Sequence, residues 1–284
     1  GSGYDNGEFN SFDLRIVVDS SDNLYVLDTG NDRVQKFNSS GVFVSTWGST
    51  GVNDGQFVQP KDIAIDNANN IYVYSERDGS YGSIKIQKFS SSGSFIYSVG
   101  AGSGDQALVL DGQLPYKTMA FDQANNLLVL DQSKVKVFDS SGNFVRAYDT
   151  QYGASAITVD SAGNSYVTSS YSSSNLHNGV QGSLVKFGSS GNVLGSIARS
   201  SLDPELLGPS WDVWLSQNGN VNVVSGDNKE AVKTYTSDLT FVSKFDGTEN
   251  NNAFVTEVSD ATFSGSIGQP DNGQASLMIG GGII

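Results

Sequence analysis

A lone histidine, His177, and a scatter of carboxylates are the side chains from which this sequence could build catalysis or a metal site. A Ser-His-Asp triad would have to use His177, and a site of three histidine ligands is excluded by its being alone. No G-x-S-x-G elbow, H-E-x-x-H helix or phosphate-binding P-loop is present. His177 lies in a Ser/Asn-rich stretch, 170–182, and reads as an exposed loop residue that could contact a partner.

The carboxylates divide by position. Asp19, Asp66, Asp122 and Asp160 each close a short apolar run just before a turn, where an aspartate bonds nearby backbone amides, so their recurrence argues for turn chemistry. Asp28 and Asp131 end the run that follows, with Glu76 and Asp227 close to the equivalent places. Hard oxygen ligands brought together in this way could hold Ca²⁺. The alternative is that these acids are structural, since Ser75, Ser169 and Ser225 take the same place in other copies. Arg33, Lys85 and Lys134 share one position in the next run, and pairing with Asp28 or Asp131 of the same unit explains their charge. Trp47, Trp211 and Trp214 read as core, whereas Tyr81 and Tyr171 sit in polar insertions and are contact candidates together with Arg33, Arg77 and His177.

These positions are comparable because the chain repeats. The stretch 16–48 returns with its punctuation intact: four short β-type runs separated by turns. The aromatic residue closing the third run recurs roughly fifty residues apart, at Phe37, Phe89, Phe138, Phe187 and Tyr235. Four positions later stands Gly41, Gly93, Gly142 or Gly191, with Leu239 breaking the series. Between the first two runs Asn23, Asn70, Asn126, Asn164 and Asn220 follow Asp22, Asn69, Asn125, Gly163 and Gly219, residues suited to left-handed turns. A four-stranded unit of this size cannot bury both faces of its own sheet, so it must pack on its neighbours, which a β-propeller achieves by radial repetition.

The stretch DNLYVLDTGNDRVQKFNSSG, preceded by GEFNSFDLRIVVD, resembles the NHL repeat, whose pattern runs G-x-F-x-x-P-x-G-I-A-V-D and then G-N-x-Y-V-A-D-T-x-N-x-R-I-Q-x-F. The second copy matches at Gly55, Phe57, Pro60, 63–66 and 70–73, and later copies fade. The resemblance implies an all-β propeller of four-stranded antiparallel blades, commonly six. Repeats at about 9–48, 57–100, 113–149, 153–197 and 208–246 make five, and 254–284 supplies half of a sixth, all in one domain. Such a half-blade would leave a strand edge open, which either further chain or a neighbouring copy would fill.

Composition restricts the partners. With 30 acidic against 16 basic residues and a formal net charge of −14, nucleic acid and anionic membranes are poor partners, and no apolar run is long enough for membrane insertion. The absence of cysteine excludes disulfides and thiolate metal sites. Richness in Ser, Asn, Gly and Tyr with sparse Lys points to an extracellular or cell-surface protein. The variable stretches 76–83, 101–111, 170–182 and 198–208 all fall where second strands end or blades are linked, so they share one face of the expected scaffold. The expected function is a non-enzymatic recognition or assembly module binding protein or glycan there, requiring no cofactor and able to form a homo-oligomer or filament through strand pairing. The alternative is a calcium-dependent propeller hydrolase or lyase, because propeller lactonases carry acidic and Asn ligands in a central channel.

Overall fold

The computed structural model describes residues 3–10, 14–76, 83–100, 106–109, 118–131, 134–150, 154–169, 184–197, 207–226 and 230–245. Five antiparallel sheets, each a four-stranded blade and one of them extended by a short fifth strand, are present among them, against the six blades expected; the strands anticipated within 254–284 lie outside the described residues.

In the first compact unit, β1 (Arg15–Val18), β2 (Leu24–Asp28), β3 (Arg33–Phe37) and β4 (Phe43–Trp47) pair in chain order. They are followed by β5 (Val58–Ile65), β6 (Ile71–Glu76), β7 (Ser83–Phe89) and β8 (Phe95–Val99), again in order. The second unit takes in the first two residues of β7, Ser83 and Ile84, which pair with the two-residue β9 (Leu108–Val109), and carries three further sheets. These are β10 (Met119–Phe121) to β13 (Phe144–Asp149) with β11 (Leu127–Asp131) and β12 (Lys134–Phe138) between, then β14 (Ala154–Val159), β15 (Ser165–Ser169), β16 (Leu184–Phe187) and β17 (Val193–Ile197), then β18 (Ser210–Leu215), β19 (Val221–Gly226), β20 (Glu230–Tyr235) and β21 (Phe241–Phe245).

The turns explain why so short a set of strands keeps its register. Asp19 Oδ1 accepts the backbone N–H groups of Ser21 and Asn23, both at 2.9 Å, and its Oδ2 accepts Asn23 Nδ2 at 2.9 Å. Asp66, Asp122 and Asp160 do the same with the residues two and four positions on, as the sequence indicates. The left-handed residue is the one before the asparagine: Asp22, Asn69, Asn125, Gly163 and Gly219 have positive φ, while Asn23, Asn70, Asn126 and Asn164 serve as side-chain donors to the aspartate. In the last hairpin Leu239 adopts φ 64°, taking the glycine conformation at a cost of roughly 1–2 kcal/mol. Its side chain packs against the cluster around Tyr235 and Val221, which offsets that strain.

Apolar faces meet between successive sheets within each unit. In the first, Tyr25, Leu27 and Val34 pack on Ile63, Ile71, Val73 and Phe89. In the second, one cluster joins Leu128, Val135 and Val137 to Ile157 and Val185, and another joins Ala156, Tyr166 and Leu184 to Val213 and Tyr235. Fourth strands contribute the wedge: the Trp47 ring lies 6.1 Å from that of Phe89, and Tyr148 lies 5.3 Å from Phe187. The outward side of each fourth strand carries one apolar residue at the same position, Val44, Ile96, Val145, Leu194 or Val242, each about half exposed.

Candidate functional site

Antiparallel order sends the first-to-second and third-to-fourth turns to one end of each sheet and the second-strand termini to the other. A buried polar residue stands at the end of β2, β11 and β15, Asp28, Asp131 and Ser169, and one place before the end of β6 and β19, Ser75 and Ser225. In sequence, the variable stretches 76–83 and 170–182 follow two of these positions directly, which makes the second-strand end of each sheet the candidate site to describe.

Asp28 is fully buried and its oxygens are occupied by protein donors. Its Oδ1 accepts the Asn10 N–H at 3.0 Å, and its Oδ2 accepts Asn31 Nδ2 at 2.7 Å and Arg33 Nε at 2.9 Å. Arg33 spends its remaining donors on the carbonyls of Tyr4, Asp5 and Glu8, at 2.8, 2.9 and 2.9 Å. The expected Asp28–Arg33 pair therefore exists, and its work is to hold the segment leading into the sheet. Ser225 serves in the same manner, its Oγ accepting the Gly208 N–H at 2.9 Å. The Ser75 hydroxyl has no hydrogen-bond partner among the described residues.

Two pairings differ from expectation. Lys134 bonds Asp149 across the hairpin at 2.7 Å, a largely exposed pair, and Asp131 is instead neutralised by Lys136, buried beside it. Residues 134 and 136 project to the same side of β12, and the inner one meets the buried acid. Lys85 reaches the carbonyls of Val52 and Asn53 at 2.8 and 3.1 Å. Burial lowers its pKa, opposed by nearby Asp54.

Glu76, at the end of β6, is buried and pairs through its backbone with Val58. No cluster of three or more acidic or histidine side chains able to hold a metal ion occurs among the described residues. Asp28 and Glu76 fall in the first compact unit and Asp131 in the second. A calcium ion there would have to displace Arg33 and Asn31 from Asp28, or Lys136 from Asp131. Asp227, Arg77, Tyr81, Tyr171 and His177 lie outside the described residues.

Two sets of residues escaped the sequence reading. Gln35 and Gln87, each two positions before its aromatic anchor, hold the segment preceding their own sheet; the shared register was the available signal. At the opposite end, Tyr25 and Lys36 both reach the Ser91 carbonyl of the next sheet, at 3.2 Å each, with the ammonium 4.8 Å from the tyrosine ring centre. Tyr166 and Lys186 grip the Ser237 carbonyl likewise, at 3.2 and 2.9 Å. Each tyrosine hydroxyl also lies on an aspartate of the turn, Asp19 or Asp160. Burial first, and the aspartate second, raises the pKa of Tyr25 and Tyr166 well above the ordinary phenol value.

No protein-family model matches the chain. A local match of 28% identity over 86 residues, spanning 30% of this chain and 8% of the other protein, is to protein brain tumor of Drosophila melanogaster. Among solved structures, a streptogramin B lyase aligns with a TM-score of 0.60 at 12% identity, over 87% of this chain and 74% of the lyase. A catalytically inactive histidine-to-alanine variant of virginiamycin B lyase from Staphylococcus aureus, solved with quinupristin, aligns with a TM-score of 0.60 at 11% identity, over 84% of this chain and 72% of that one. At these identities the likeness concerns architecture, and together with the five sheets it makes this chain an all-β propeller of four-stranded antiparallel blades.

Proposed function

We propose that this propeller is an enzyme of the lyase or hydrolase class, opening a small cyclic ester held on the face where its second strands end. The observation that carries this reading is the fold-level likeness to streptogramin B lyases over 87% of the chain. A histidine is the residue replaced in the inactive virginiamycin B lyase, and here the lone histidine, His177, falls in the sequence between β15 and β16. His177 would serve as general base, with Tyr171 of the same segment as a substrate contact; no step is routed through a metal. The test is ring opening of quinupristin and of simple lactones by the full chain, followed by chromatography and mass. Turnover that falls at least a hundredfold in His177→Ala and survives chelator supports the proposal. Rates equal to buffer with every substrate overturn it, and loss on chelation alone would favour the calcium-dependent version.

A second reading, a non-enzymatic module that binds protein or glycan through Tyr81, Tyr171 and Arg77 on the same face, is favoured by one observation: Asp28, Asp131 and Arg33 are all consumed by the fold. The NHL-type repeat, supported by the local match to the Drosophila protein, suits such a module. An extracellular location and assembly through strand pairing belong to this reading.

A further inference from the structure

The segment Gly3–Asn10 and the link 51–58 have related sequences, GYDNGEFN and GVNDGQFV, and fold into the same loop. Gly3 N–H donates to Phe9 O at 3.1 Å and Gly51 N–H to Phe57 O at 3.0 Å; Glu8 N–H donates to Asp5 O and Gln56 N–H to Asn53 O, both at 3.1 Å. Each loop is gripped by the sheet it leads into, through the same atoms. Gly7 N–H donates to Gln35 Oε1, and Gly55 N–H to Gln87 Oε1, both at 2.8 Å. The amide Nε2 of Gln35 returns a bond to Glu8 O at 2.7 Å, and that of Gln87 to Gln56 O at 2.6 Å. A cation takes the two carbonyls at the start: Arg33 those of Tyr4 and Asp5, Lys85 those of Val52 and Asn53.

Nearly every contact on the loop side is main chain. Asn31 Nδ2 adds Gly3 O at 3.0 Å and Asp28 adds the Asn10 N–H. Selectivity comes from three places: Gly7, whose φ of +82° favours glycine; Phe9, whose ring lies 5.9 Å from Phe37; and Gly30, where an added Cβ would sit 1.5 Å from Asn10 O.

We infer that Asp28, Asn31, Arg33 and Gln35 form a peptide-binding site that reads the backbone of a Gly-x-Asp/Asn-Asn/Asp-Gly-Glu/Gln-Phe segment. Gly3–Asn10 fills it in cis, and the same segment of a second copy fits it in trans. This site lies at the second-strand end of its own sheet but uses none of the residues assigned to the proposed chemistry and does not depend on it.

The test uses the full chain with a protease recognition sequence replacing 11–13, cut after folding. A fluorescent peptide of sequence 1–10 is then titrated by anisotropy. The expected result is saturable binding to the cut chain, at least tenfold weaker for peptides with Gly7→Ala or Phe9→Ala and for protein carrying Gln35→Ala, and unchanged for Lys134→Ala. The uncut chain, whose own segment competes at high effective concentration, must bind at least tenfold more weakly. Equal binding of a scrambled peptide, or no saturation on a folded cut chain, overturns the inference. If cutting unfolds the chain, peptide 1–10 must restore the β-sheet circular dichroism; failure to do so overturns it equally.

Discussion

Asp19 shows how much one short side chain can organise. Burial opposes its charge, but the bonds from Asn23, Ser21 and Tyr25 outweigh that and hold its carboxyl below the ordinary aspartate value. A carboxylate whose folded pKa is depressed stabilises the fold above its unfolded pKa, and that contribution is lost as pH falls through the folded value. Asp19→Asn keeps an acceptor in the turn but removes the charge, so Tm at pH 7 should fall by about 2–4 °C, the effect of losing about 1 kcal/mol. Its Tm should also decline less steeply than wild type between pH 5 and 2; parallel melting curves would show that Asp19 is not a source of the acid sensitivity. The turn role of Asp19 was legible because the same residue recurs at the same place in four copies. The partner of Asp131 was not, because Lys134 and Lys136 lie on one side of a period-two strand and only depth in the sheet distinguishes them.

At the scale of the element, the third-to-fourth hairpins do two jobs. Gly41 and Gly93 occupy equivalent turns with φ of +75° and +86°, but an added Cβ at Gly41 meets nothing within 4 Å, whereas at Gly93 it lies 2.6 Å from the Trp47 ring. Gly41→Ala should therefore cost about 1–2 kcal/mol of left-handed strain alone. Gly93→Ala adds displacement of a packed aromatic from the preceding sheet, for a total of about 2–5 kcal/mol. Urea denaturation of the two variants checks this; equal losses would show that the hairpin does not bear on its neighbour. Sequence spacing identified the positive φ at these glycines, since a hairpin demands it locally. The approach of Trp47 was hidden, because it depends on how one sheet lies on the next. Leu239 is the complementary case: its sequence reads as a broken turn, and long-range packing rescues it.

For the molecule as a whole, five blades were legible because their strands, turns and anchors repeat, and repetition is itself a register mark. The candidate site was far less so. Its segments share no repeat, and the acids that suggested calcium turn out to be satisfied by donors distant in sequence, such as the Asn10 N–H on Asp28. The uncharged half-exposed row Val44, Ile96, Val145, Leu194 and Val242 has a further consequence. Strand edges of this kind template pairing with other chains unless charge keeps them apart. Here the guard is supplied by the acidic excess of the whole chain, and it vanishes near the isoelectric point of about 4.3. Turbidity should peak near that pH and drop when Val44 and Leu194 are both replaced by Lys, with unchanged turbidity arguing against the edges as the contact. Colloidal stability is on this argument borrowed from electrostatics: acidification strips away that barrier first, near the isoelectric point, and protonation of Asp19, whose carboxyl is held below the usual range, loosens the fold only at lower pH still.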